Sequence, residues 1–212
     1  MPLLKPLTRE QIAADLVPLW DECERTYPDF RNSWATMAHS PVIFRHVWGQ
    51  LLALKHDSPV EARHFEIVIL VMSNANRCEY CVSHHTPRAL GTGLTPAQIA
   101  YLATLTAPGV AEDGEVTSHP GFDADDGLVI DLASFAVWAG LQAPASGVHP
   151  RVVHGRRRRL FERLTARFSP QQIEELVWRT TQCAAFNWHN ELLELDLEPE
   201  LSPPQPTSAP AP

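Results

Sequence analysis

Apolar positions along the chain recur at helical spacing and almost nowhere alternate. In "RVVHGRRRRLFERLTARF", Leu160, Phe161, Leu164 and Phe168 follow the three-to-four-residue step of a helix with one covered face. The run "IVILVM" at 67–72 is apolar on every side, which predicts a helix buried nearly all round. Its β-branched residues would also suit a strand, but helix-start chemistry precedes the segment and no stretch shows sustained period-two alternation. The expected fold class is all-α, assembled from helical hairpins.

Four segments carry a Ser or Thr followed three residues later by Glu or Gln, the pattern of a reciprocal capping box: Thr8 with Gln11, Ser58 with Glu61, Thr95 with Gln98, and Ser169 with Gln172. In the last three a proline (Pro59, Pro96, Pro170) takes the first helical position, where its missing N–H leaves nothing unsatisfied. A long helix is expected after each, with the second running over 59–75. "GLTPAQIAYLATL" and "RFSPQQIEELVWR" resemble each other, which fits either an internal duplication of a hairpin or the reuse of a good cap. "APGVAEDGEVTSHPGFDADDG" (107–127) and "APASGVHP" (143–150) are rich in turn residues and read as surface connections. The Pro- and Ala-rich residues 199–212 read as a disordered tail behind a single domain over 1–198.

A chain of 212 residues, 44% hydrophobic, can bury a core without disulfide or metal staples. Its four cysteines are too few for a disulfide framework, and "MPLLKPLTRE" has no charged start or apolar region of a secretory signal, so a reducing cytoplasm is the expected compartment. No apolar run approaches the roughly 20 residues of a membrane span. The net charge of −8 argues against nucleic acid and anionic membrane as partners, and Arg156 to Arg159 read as a solvated helix face with Arg158 paired to Glu162. The apolar helix "DGLVIDLASFAVWAGL" exceeds what a small monomer readily covers, so a homo-oligomer is expected. The six tryptophans should be mostly core or interface residues.

Candidate chemistry concentrates in "NRCEYCVSHH", residues 76–85. The polar "SNANR" at 73–77 should end one helix and let another start near Cys78. The midpoint of that hairpin falls between Ala75 and Asn76, and Glu66 and His85 are equally far from it, so antiparallel packing brings them to one height. Cys78, Cys81 and His85 follow at helical steps on one face, while His84 is rotated away. A helix start stabilises a thiolate, an imidazole held by a carboxylate moves its proton, and two thiols one turn apart can close to a disulfide after one is oxidised by a peroxide. By this argument Cys78 is the more acidic thiol. Three other readings compete: a structural zinc site using His84 or His85, chance burial of free thiols, and Glu66 as an edge carboxylate paired with Arg63 or His64. Zinc lacks a second Cys-x-x-Cys, and four ligands within eight residues of one helix cannot easily surround a metal.

Glu66, eleven residues, Cys78-x-x-Cys81, three residues and then His85 resembles the active-site signature of the AhpD-like alkylhydroperoxidases in the carboxymuconolactone decarboxylase superfamily, with the signature region at 58–105. "NSWATMAHSPVIFRHVW" and "FSPQQIEELVWRTTQCAAFNWHNELLELDLE" are similar to the family's opening and closing helical segments. The resemblance implies an all-helical homo-oligomer acting as a thiol peroxidase without haem, metal or other cofactor. An external dithiol such as dihydrolipoamide or thioredoxin would reduce it. It further implies Cys81 as the attacking thiol, Cys78 as the resolving thiol, and Glu66 with His85 as the proton relay, against the electrostatic preference for Cys78. Tyr80 stands where some members carry a histidine, so any relay role of that histidine is absent here or moved to His84. A muconolactone-decarboxylating lyase, which works without the cysteine pair, and a non-catalytic helical binding or assembly protein with incidental thiols are the alternative functions.

Overall fold

The computed structural model describes residues 2–105 and 118–201, and among them every regular element is helical. Two 3₁₀ turns (Arg9–Gln11 and Ala14–Leu16) lead into α1 (Val17–Thr26), and a third (Pro28–Phe30) into α2 (Arg31–Met37). The short α3 (Pro41–Ile43) passes through a π-helical turn (Phe44–Trp48) into α4 (Gly49–Asp57). Next come α5 (Ala62–Ala75), α6 (Glu79–Gly91) and α7 (Pro96–Thr104). After the undescribed residues come α8 (Ala124–Val137), a second π turn (Trp138–Gln142), α9 (Ala143–Ala145), α10 (Pro150–Thr165) and α11 (Pro170–Leu192).

The central helix is α5. Ile67, Val68, Ile69, Leu70 and Val71 are essentially without solvent exposure, as a run apolar on all sides requires. It packs against α6, α8 and α11, and with α7 and α10 these form one apolar cluster. A second cluster gathers Trp20, Trp34, Phe44 and Trp48 from the N-terminal helices around Cys78, Tyr80 and Cys81. The α5–α6 hairpin therefore has its shaft in one core and its cysteines in the other.

The turn of that hairpin is built by the backbone. Arg77 N–H bonds to the Asn74 carbonyl (3.1 Å) and Cys78 N–H to that of Ser73 (3.0 Å), the double closure of a Schellman motif, with Arg77 in the left-handed region at φ 56°. Cys78 then serves as the N-cap of α6, its sulfur accepting from Cys81 N–H. Helix α11 locks the turn from outside. Asn187 Nδ2 donates to Ser73 Oγ (3.1 Å), and Asn76 Nδ2 donates to Asn187 Oδ1 (2.9 Å).

Several expectations about boundaries change. The boxes at Thr95 and Ser169 form and start α7 and α11. The box at Thr8 closes only a single 3₁₀ turn, because Ile12 and Ala13 are extended and stop it. Ser58 caps nothing: its hydroxyl donates to Glu175 and accepts from Val60 N–H, so α5 begins at Ala62 instead of residue 59. The connection expected over 107–127 ends earlier, since Asp123 accepts from the N–H groups of Asp125 and Asp126 and starts α8 at Ala124. Residues 143–145, expected in a connection, are helical. Helix α8 is mostly buried within the chain against α5, α10 and α11, so it offers no large apolar surface to a partner. Trp20, Trp34 and Trp48 are core residues, Trp138 is half-buried, and Trp178 and Trp188 on α11 are 45% and 58% exposed. No helix among the described residues is long and apolar enough to cross a membrane. The end of the Pro-rich tail, residues 202–212, lies outside the described residues.

Two stability measurements check this picture. Ser169→Ala, which removes a working cap from the longest helix, should lower the unfolding free energy by about 1 kcal/mol in chemical denaturation, while Thr8→Ala should change it by a few tenths at most. Arg77→Gly should hold or raise stability, because glycine adopts the left-handed conformation without the Cβ penalty. A loss of more than about 1 kcal/mol on Arg77→Gly would show that the arginine side chain, not its backbone, holds the turn.

Candidate active site

Antiparallel packing of α5 and α6 brings Glu66 and His85 together as the spacing predicts. His85 Nδ1 stands 2.8 Å from Glu66 Oε2, with both side chains buried. A carboxylate oxygen only accepts, so Nδ1 carries the proton and Nε2 keeps its lone pair. Burial draws the His85 pKa below the usual imidazole value, and the Glu66 charge partly opposes that. His85 is thus a neutral, oriented base. The reading of Glu66 as an edge carboxylate does not hold, because Arg63 and His64 both turn to Asp126, at 2.8 and 3.5 Å.

The two sulfurs have different surroundings. Cys78, fully buried at the helix start, accepts from Cys81 N–H at 3.4 Å. Donation by the Cys81 thiol, with that N–H, holds Cys78 below the ordinary thiol pKa against its burial and the nearby Glu191. Cys81, which directs its proton to Cys78 and is itself buried, is pushed well above that range. Yet of these two it is Cys81 that lines a cavity, together with His85, Cys183 and the aromatic side chains of Tyr27, Phe30, Trp48 and Phe186. Acidity thus favours Cys78 and access favours Cys81. Burial pushes Cys23 up to about 12 and raises Cys183 as well, and neither belongs to the hairpin.

Helix α11 supplies what the sequence reading missed. Asn190 Nδ2 donates to Cys81 Sγ at 3.3 Å, and its Oδ1 faces the Ser33 hydroxyl at 3.4 Å. Ile173, Leu176, Thr180, Cys183, Asn187 and Asn190 form one buried stripe at alternating steps of three and four. The signal was present: two asparagines occupy inward positions where the same helix earlier places Ile and Leu. Buried amides on such a face require partners, and here the partners are the hairpin turn and the thiol.

Tyr80 and His84 face the other way. His84 Nδ1 meets the Tyr80 carbonyl and Nε2 meets Glu198 Oε2, each at 2.5 Å, while the Tyr80 hydroxyl donates to Glu198 Oε1 at 2.7 Å. Glu198 follows α11 because Glu194, at φ 50°, turns the chain back over the N-terminal core. Among the described residues, no group of three or more His, Cys, Asp or Glu side chains is arranged to hold a metal ion.

Comparison with known proteins bears on this geometry. The model of the carboxymuconolactone decarboxylase family matches residues 43–117. No curated protein matches the chain. Among solved structures, the fold is similar to that of the debrominase Bmp8, crystallised as a cysteine-to-alanine variant in complex with 2,3,4-tribromopyrrole. The TM-score is 0.63 at 16% identity, over 95% of this chain and 94% of that one. At that identity the likeness concerns the all-helical fold alone. Glu66, Cys78, Cys81 and His85 all lie within residues 43–117, the stretch that matches the carboxymuconolactone decarboxylase family model.

Proposed function

We propose that the protein is a thiol-dependent peroxidase that reduces organic hydroperoxides through Cys81 and Cys78. The observation that carries this reading is a neutral imidazole, fixed by Glu66, on the same cavity wall as a thiol that has a second thiol one helical turn behind it. With one proton left on Cys78, Cys81 attacks the distal peroxide oxygen as the thiolate, the other proton of the pair having passed to His85 Nε2. The O–O bond breaks, and the departing alkoxide takes that proton back as the alcohol. Cys81 is left as a sulfenic acid. The Cys78 thiol attacks it, forming the S–S bond and releasing water, and an external dithiol then reduces the bridge while becoming a disulfide itself.

The conflict between acidity and access resolves within this scheme. Negative charge on the pair is held at Cys78 by the helix N-terminal N–H and at Cys81 by the Asn190 amide, and one proton lies between the sulfurs. When that proton moves to Cys78, the charge appears on the sulfur facing the cavity. Cys78 is thus acidic without being the attacking group.

The aromatic lining supports a second substrate for the same machinery. A halogenated aromatic ring would fit against Phe30, Trp48 and Phe186, and the dithiol would convert a carbon–bromine bond to carbon–hydrogen with release of bromide and a proton. Peroxide consumption and bromide release, each followed with dihydrolipoamide, thioredoxin or glutathione as reductant, separate the two. Bromide release with no peroxide turnover would reverse the preference stated here. The homo-oligomer is also part of the proposal, and its proposed contact is α11 instead of α8, a choice supported by the exposed apolar side chains Trp178, Trp188 and Leu192.

Cys81→Ser should abolish peroxide turnover, and Cys78→Ser should leave one round of reduction and then stop, with Cys81 over-oxidising. Full steady-state activity in either variant would refute the assignment. The pH dependence follows from His85. Because its pKa is lowered, the base stays neutral through neutral pH, and activity should fall only as pH drops below the ordinary imidazole range. Glu66→Gln removes the charge that holds that pKa up, so the acid limb should move to still lower pH while kcat falls about 10²-fold. An acid limb that moved upward, or did not move, would count against the relay.

A further inference from the structure

The protein carries a net charge of −8, yet the cleft on the Glu66 side of His85 is lined by three cations, Lys55, Arg88 and Arg179, and one carboxylate. That carboxylate is Glu66, already bonded to His85. Arg88 is committed as well. Its Nε and Nη2 hold Asp29 at 2.8 and 2.6 Å, and its guanidinium lies 4.9 Å from the centres of the Tyr27 and Phe30 rings. Arg179 is different. Among the described residues no carboxylate lies within ion-pair distance of it, and its Nη1 donates only a long bond, 3.4 Å, to the Gln182 amide oxygen.

Its position is specific. Arg179, Tyr27, Leu51 and His85 line both this cleft and the aromatic cavity of Cys81, so the two spaces meet at His85 with Arg179 at the junction. On α11 it stands one turn before Cys183 and eleven residues before Asn190, the residue that touches Cys81 Sγ. That is about 16 Å along the helix axis, which the length of an arginine side chain shortens. Its charge is felt at His85, Tyr27 and Cys183, as a guanidinium directed between them would be. A half-buried guanidinium left without a counter-ion beside a reactive thiol is a receptor for an anion that arrives with the substrate.

We infer that Arg179 is a specificity-determining residue that binds the carboxylate of an organic acid substrate. The apolar body of that substrate lies against the aromatic wall, and its reactive group reaches Cys81. The enclosed part of the aromatic cavity is small and its mouth is open, so the apolar body of such a substrate lies across that mouth, against Tyr27, Phe30 and Phe186. The guanidinium fork suits a carboxylate bidentately, and exposed Lys55 adds a second positive charge at the cleft.

This inference rests on the peroxidase reading only for its kinetic test, so a binding test stands beside it. In the kinetic arm, kcat/KM is measured for an aryl-alkyl hydroperoxide bearing a carboxylate and for its methyl ester. The wild type should prefer the acid, through KM, by about tenfold or more, the worth of a charge-assisted hydrogen-bonded pair. Arg179→Gln should remove the preference and Arg179→Lys should restore part of it. In the binding arm, 4-phenylbutyrate and its uncharged amide are compared as protectants of Cys81 against iodoacetamide. The acid should protect at lower concentration in the wild type and lose that advantage in Arg179→Gln. No acid preference in the wild type in either arm, or an equal loss for charged and uncharged ligands in Arg179→Gln, would overturn the inference. Acid-selective protection without turnover of any peroxide would instead refute the peroxidase reading and leave the anion site standing.

Discussion

The buried hydrogen bond from His85 to Glu66 is the constraint on which the site depends, because it fixes the register of α5 against α6 and the tautomer of the base in one contact. A hydrogen bond to a charged partner is worth about 1.5–3 kcal/mol, and a carboxylate among Ile67 to Met72 would cost more than that if left without one. The turn makes the register possible. With Arg77 in the left-handed region, the chain reverses in two residues, and Cys78 becomes at once the end of one motif and the cap of the next helix. One more or one fewer residue there would rotate Cys81 and His85 by about 100° away from Glu66.

The second wall of the site comes from far along the chain. Asn187 and Asn190 extend the buried stripe of α11, one pinning the turn and the other touching Cys81. The unequal sulfurs follow from the cap, where the Cys81 thiol and N–H both donate to Cys78, while the Asn190 amide works the other way and favours charge on Cys81. The helix N-terminus acts on Cys78 and the amide on Cys81, so charge can move between the two without a change of backbone. On the opposite face, Tyr80 and His84 anchor Glu198 and so hold the chain after α11 against the N-terminal core.

Much of this was legible in the sequence because it depends on local chemistry. Helix period, the hairpin break at 73–77 and the convergence of Glu66, Cys78, Cys81 and His85 follow from spacing over twenty residues. The boxes at Thr8 and Ser58 fall short of a long helix for different reasons, and at Thr8 the extended backbone of Ile12 and Ala13 stops the chain after one turn. A capping box is a local preference, and at Ser58 tertiary bonds outweigh it: the hydroxyl is taken by Glu175 from α11, more than a hundred residues away. Asn190 and Arg179 were missed for the same reason, since what each faces is decided by how α11 packs on the hairpin. Residue type alone could not separate the core tryptophans Trp20, Trp34 and Trp48 from Trp178 and Trp188, which lie exposed on the outer face of α11.

The central claim is that the hairpin is a dithiol that exchanges two electrons with its substrate. Intact-mass and peptide-mapping spectrometry of the reduced protein after one equivalent of an organic hydroperoxide tests it most directly. The account predicts loss of two hydrogens per protomer, recovered in a single bridge between Cys78 and Cys81, with Cys23 and Cys183 still alkylatable after unfolding. Four intact thiols after the peroxide has been consumed, or a bridge involving Cys23 or Cys183, would contradict it.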